Sequence, residues 1–145
     1  MMVEQQMVDG QPGAAVSNAV EIRVAAQPGP LAVMRAVAGD LAIRADFDVD
    51  AIADVRLAVD EACATLIALA MPGTWLTCRF RTEHDRLVFT AEVVSEHAAA
   101  PRTDTFGWRV LTALADEISS AHDPAGDGTH VVRVELAKSR AEVPG

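Results

Sequence analysis

Tyrosine is absent from this 145-residue chain, aromatic residues make up only 4%, and cysteine occurs twice, as Cys63 and Cys78. Basic residues are also scarce: 12 Lys and Arg against 21 Asp and Glu leave a formal charge of −9. That balance argues against nucleic-acid phosphate as the main ligand, because no cationic footprint exists to release counterions. A basic protein partner suits it better. There is no C-x-x-C, and His84, His97, His122 and His130 are scattered without ligand spacing, which argues against a zinc site. The two cysteines read as small buried thiols in a reducing compartment. No basic segment followed by an apolar run opens the chain, and every apolar stretch is broken by charge well short of a bilayer span. The expectation is a soluble, cytoplasmic protein with no membrane contact. What the chain does have is apolar bulk: half its residues are hydrophobic, mostly Ala, Val and Leu. At roughly 100–200 residues per domain, this length is one domain with a packed core.

Residues 1–18 are polar, carry Gln-Pro-Gly and show neither helical nor strand period, so they read as a loose tail, with 139–145 as a second one. The domain between them, 19–138, begins with a strand at Ala19–Ala25, where Val20, Ile22 and Val24 alternate with Glu21 and Arg23. Pro28-Gly29-Pro30 breaks it, and Leu31, Met34, Val37/Ala38 and Leu41 then recur at helical spacing to about Ala45. A second helix opens on Asp48, whose carboxylate can accept from first-turn amides, with Phe47 and Ile52 spaced as a hydrophobic staple. Its core stripe is Ile52, Val55, Val59, Ala62/Cys63, Leu66 and Ala70, ended by Pro72-Gly73. Two alternating strands follow, with Leu76, Cys78 and Phe80 facing Leu87, Phe89, Ala91 and Val93 across Glu83-His84-Asp85. Ser95–Asp104 is an irregular linker, and a third helix runs from Thr105 to Ala115 with Val110, Leu111 and Leu114 inward and Asp104 as its cap. Glu117–Ala121 is a candidate short strand. Asp123–Gly128 is a dense turn, and Val132, Val134 and Leu136 alternate in a last strand. This order predicts a two-layer α/β sandwich: a mainly antiparallel, mixed sheet with three helices on one face.

The polar group that most needs explaining lies on the second helix, in Leu57-Ala58-Val59-Asp60-Glu61-Ala62-Cys63-Ala64-Thr65. At about 100° per residue, Glu61 points about 160° away from the Val59 core direction, and Thr65 lies one turn further on. A carboxylate and a hydroxyl one turn apart can line a pocket and polarise a metal-bound water; they are also common on a solvated helix face. Asp54 and Asp60 read as helix-face charges. Gly126 and Gly128 read as a hairpin turn, and Trp108 as core or as a partner anchor.

Leu57–Cys63 resembles the N-box of the anti-sigma factor/serine-protein kinases, a family of the Bergerat-fold (GHKL) ATPases. Phe106–Glu117 resembles that family's glycine-led helix and the Leu-Ala-Asp-Glu that follows it, and Gly128-Thr129 resembles its closing Gly-Thr segment. The three lie in the family's order and spacing over about Val20–Leu136. The resemblance implies the Bergerat fold and a protein that sequesters an alternative, stress-response type sigma factor, released through a STAS-type anti-anti-sigma partner. It further implies ATP and Mg²⁺ as cofactors and a serine on that partner as phosphoryl acceptor. Carried over by position, Glu61 would be the catalytic base or orienter of the serine hydroxyl. Gly107 would let backbone amides approach phosphate, with Thr129 in the closing segment. Arg35 matches an arginine that the family uses against the sigma factor. Homodimers are common in the family.

Two departures bear on the chemistry. Thr65 stands where the family's magnesium-holding asparagine is, with a shorter side chain and no amide carbonyl. The family's Asp-x-Gly-x-Gly is replaced by Val94-Ser95-Glu96-His97-Ala98, leaving Glu96 as the substitute adenine acceptor and no hinge glycines. Weak or absent nucleotide binding is therefore expected. Three readings stand side by side: a sequestering anti-sigma factor with kinase activity weak or lost, an active serine kinase with Glu61 as base, and a metabolite-binding α/β module unrelated to transcription.

Overall fold

Alternation along the strands decides which side of the sheet is dry. The computed structural model describes residues 19–140, so the expected tail at 1–18 and residues 141–145 of the one expected at 139–145 lie outside the described residues, while Ser139 still belongs to the last strand. Five strands are formed: β1 (Ala19–Ala25), β2 (Trp75–Glu83), β3 (Arg86–Ser95), β4 (Glu117–Pro124) and β5 (His130–Ser139). They lie in the spatial order β1-β2-β3-β5-β4. The sheet is antiparallel at every ladder among the described residues, rather than mixed. One cross-strand row runs through Ile22, Cys78, Ala91, Val134 and Ser120, and the next through Val20, Phe80, Phe89, Leu136 and Ile118. Phe80 and Phe89 meet with ring centroids 4.8 Å apart. The opposite face carries cross-strand polar pairs, with Arg79 reaching Glu21 at 2.6 Å, Thr90 reaching Glu135 at 3.1 Å and Arg133 reaching Glu92 at 3.2 Å, around a buried Val88–Ala137 pair.

Three helices complete the chain: α1 (Leu31–Arg44), α2 (Val49–Ile67) and α3 (Phe106–Leu114). Asp48 caps α2 as the sequence predicts, its Oδ1 accepting from the Ala51 amide at 2.8 Å. Helix α2 packs on β2, β3 and β5 and also touches both α1 and α3. Contact on three sides shifts the buried stripe to Ala51, Val55, Ala58, Val59, Ala62, Cys63 and Leu66, leaving Ile52 half-buried. Along α1 the buried residues are Met34, Ala38, Gly39 and Ala42, with Leu31, Val37 and Leu41 only half-buried. Small side chains win that seam because they let the two helices approach closely. At Gly39 a Cβ would lie 2.4 Å from Nε of Arg56, whose side chain covers it.

Other local expectations are corrected. The cap of α3 is Thr105, whose Oγ1 accepts from the Trp108 amide at 3.1 Å, while Asp104 is turned to Arg102. Strand β4 continues to Pro124, beyond the apolar signal at its start, because β5 supplies a backbone partner all along it. As an edge strand it tolerates a proline at its end. Trp108 packs against the core, and Gly126 and Gly128, at φ +89° and +88°, sit in the β4–β5 turn. The Cys63 and Cys78 thiols are buried and unbridged; the Cys78 side chain beside it, together with burial, pushes the Cys63 thiol up. Lys138 on β5 ties the layers together, its Nζ 3.2 Å from Asp54 Oδ2 on α2 and 2.9 Å from the Leu114 carbonyl that ends α3.

Urea unfolding measures two of these contributions. Phe80→Ala is expected to cost about 3–5 kcal/mol, as deletion of a fully buried ring does. Asp48→Ala is expected to cost about 1 kcal/mol through its lost cap. Equal losses for the two variants would contradict the core described above.

Candidate functional site

With its inner sides committed, α2 has one strip left facing outward beside α3. Glu61, Ala64, Thr65, Ala68 and Leu69 follow one another along it at helical spacing. Pro101, Arg102, Thr105 and Gly107 close the other side, so the β3–α3 connection forms a wall of the resulting cleft of about 340 Å³. The helix-face carboxylate therefore borders a concavity.

Gly107 fixes the geometry at its base. A Cβ there would lie 2.4 Å from Oε2 of Glu61, so only glycine allows the carboxylate to rest against the start of α3. The positive end of a helix favours an anion at that place. Arg102 is held in a fork by Asp104, Nε to Oδ1 at 3.0 Å and Nη2 to Oδ2 at 2.6 Å. This pairing holds the Asp104 carboxyl below the usual carboxylate range. Among the described residues, no cation lies within ion-pair distance of Glu61.

The residues singled out by sequence are thus only partly gathered. Glu61, Thr65 and Gly107 line one cleft. Glu96 lines an adjoining concavity of about 160 Å³ with His97 and the end of α2, sharing Ala68 and Leu69 with the first. Thr129 lies in the β4–β5 turn, where its hydroxyl donates to the Asp127 carboxylate and its amide lies 3.0 Å from Oδ1. Arg35 is exposed on α1 and paired with Asp60 of α2 at 3.0 Å, outside the cleft. Sequence reasoning missed Ala64, Ala68 and Leu69, although their spacing of three, seven and eight from Glu61 places them on its face. It also missed Arg102 and Thr105, which only the path of the linker reveals.

The residues present do not fit a nucleotide triphosphate with Mg²⁺. Magnesium is usually held by one or two carboxylates together with phosphate oxygens and several waters. Here the carboxylate already covers the helix start that a phosphate would approach, so like charges would meet. Among the described residues, the one cation lining the cleft, Arg102, is paired with Asp104 at the surface.

An antiparallel sheet covered by three helices, with a cleft at the start of a glycine-led helix, defines a two-layer domain of the ATPase type. Residues 24–134 match the histidine kinase-like ATPase domain family, and the chain belongs to that family. It is 40% identical over 106 residues to the Anti-sigma-F factor RsbW of Mycobacterium tuberculosis strain CDC 1551/Oshkosh, and equally to that of strain ATCC 25618/H37Rv. Each match covers 73% of this chain and 63% of the relative, so the chain spans less than two thirds of the relatives' length.

A double-mutant cycle tests the contact at the base of the cleft. Gly107→Ala alone is expected to change stability by less than about 0.5 kcal/mol, because the Glu61 carboxylate is the far end of a flexible side chain and swings aside from the new methyl. In a Glu61→Ala background the same change is expected to gain up to about 1 kcal/mol from helix propensity. Additivity of the two substitutions in urea unfolding would show that they do not touch.

Proposed function

We propose that this chain is an anti-sigma factor that works by sequestration, with kinase activity weak or lost. The observation that carries the reading is the 40% identity over 106 residues to relatives named Anti-sigma-F factor. The partner is an alternative sigma factor of the stress-response type, and a STAS-type anti-anti-sigma factor releases it. The charge of −9 supports a basic partner surface and a salt-dependent association rate. Among the described residues no helix is long and apolar enough to cross a membrane, and the proposed location is the cytoplasm.

The cleft supports the loss of phosphoryl transfer. Its carboxylate leans on α3, its cation is neutralised by a neighbour, and Thr65 replaces an amide with a hydroxyl. Arg35 supports the sequestering role. It is exposed on α1, held only by an ion pair with Asp60, and that pair can be exchanged for a partner carboxylate at small cost.

Two measurements test this function. Purified protein is expected to co-elute with one member of a panel of sigma factors, and Arg35→Glu to weaken that complex by roughly tenfold or more without changing the unfolding midpoint. Co-elution with none of them would overturn the reading. Calorimetric titration with ATP–Mg²⁺ is expected to give no saturable heat, and radiolabelled ATP no label on an anti-anti-sigma protein. Label that disappears on Glu61→Ala would establish the kinase instead.

A further inference from the structure

The cleft beside α3 keeps a built shape although its residues do not suit nucleotide. Its walls are short and apolar: Ala64, Ala68, Leu69 and Pro101 offer methyl and ring carbons but no polar side-chain atom. Its base carries the Glu61 carboxylate with the Thr65 hydroxyl one turn away. The charge on Glu61 has no counterpart among the described residues, while the other lining charge, Arg102, is cancelled by Asp104. The unmatched sign is therefore negative, beside apolar walls. Phe106, between two lining residues, is 80% exposed, which is unusual for a large aromatic in a chain with so few.

We propose that this cleft receives an arginine side chain presented by a protein partner. An aliphatic stem ending in a cation matches apolar walls beside a carboxylate. Arginine suits it better than lysine because its planar fork engages a carboxylate with two parallel donors and can reach a neighbouring hydroxyl. The volume of about 340 Å³ is at the small end of ligand sites and suits one long side chain.

The test is an amide-resolved NMR titration of the full chain with N-butylguanidinium, its neutral analogue N-butylurea, and ATP–Mg²⁺. Butylguanidinium is expected to move the Thr65 and Gly107 amides saturably, and butylurea to bind roughly ten- to a hundredfold more weakly. Glu61→Gln is expected to remove that difference; if this variant does not fold, the comparison of the two probes on the unaltered protein still decides. Equal binding of the two probes, no movement of these amides, or displacement of butylguanidinium by ATP–Mg²⁺ at lower concentration would each overturn the proposal. The inference rests on the sequestering function only for the source of the arginine. The titration contains no sigma factor, so its failure and a failure of sigma capture are seen separately.

Discussion

Burial of α2 on three sides is the constraint from which the rest of the domain follows. One flank holds α1, another α3, and the side between them lies on β2, β3 and β5. A helix so enclosed needs small residues wherever a neighbouring backbone comes close, and α2 provides Ala51, Ala58, Ala62 and Cys63 among its buried positions. The larger Val55, Val59 and Leu66 then fill the space above the sheet, where Phe80, Phe89 and Leu136 rise to meet them. Only one strip of the helix is left for anything else. That strip carries Glu61 and Thr65, which is why the polar constellation and the cleft coincide.

The elements were legible because each rests on a local pattern. Strand alternation gave the core face of the sheet, and the α2 cap follows from an aspartate in front of a helical stripe. The faces of α1 and the centre of the α2 stripe were not legible in the same way. Periodicity found Met34 and Ala38, but it favoured the large Leu31, Leu41 and Ile52 where close helix packing buries Gly39 and Ala42 instead. The length of β4 also escaped a local reading, since Ser119, Ser120 and Asp123 are ordered by ladder bonds to β5 and not by their own propensity.

At the site, sequence spacing put Glu61 and Thr65 on one face, and similarity to a family put Gly107 near them. What spacing could not reveal is that Gly107 lies against the carboxylate itself, because that depends on how closely two helices approach across the long stretch of chain between Glu61 and Gly107. Arg102 shows the same limit. A lone arginine in an irregular linker carries no periodic signal, and its fork to Asp104 exists only once the linker has folded back toward α3.

Fold and chemistry are separable here for an energetic reason. The fully buried side chains lie on the sheet and on the inner sides of the helices, and none of the polar cleft residues Glu61, Thr65, Arg102 and Thr105 is among them. Replacing an exposed or half-buried polar side chain usually changes stability by less than about 0.5 kcal/mol, far below the cost of a core deletion. The cleft was therefore open to change while the core was not. Substitutions at Glu61, Thr65, Arg102 or Thr105 leave the sandwich standing, because none of these side chains belongs to the core. The surface of α1 faces no such conflict, because Arg35 and Asp60 pair outside the cleft and depend on α2 only for support. A domain built in this way can exchange the residues of its cleft without exchanging its fold.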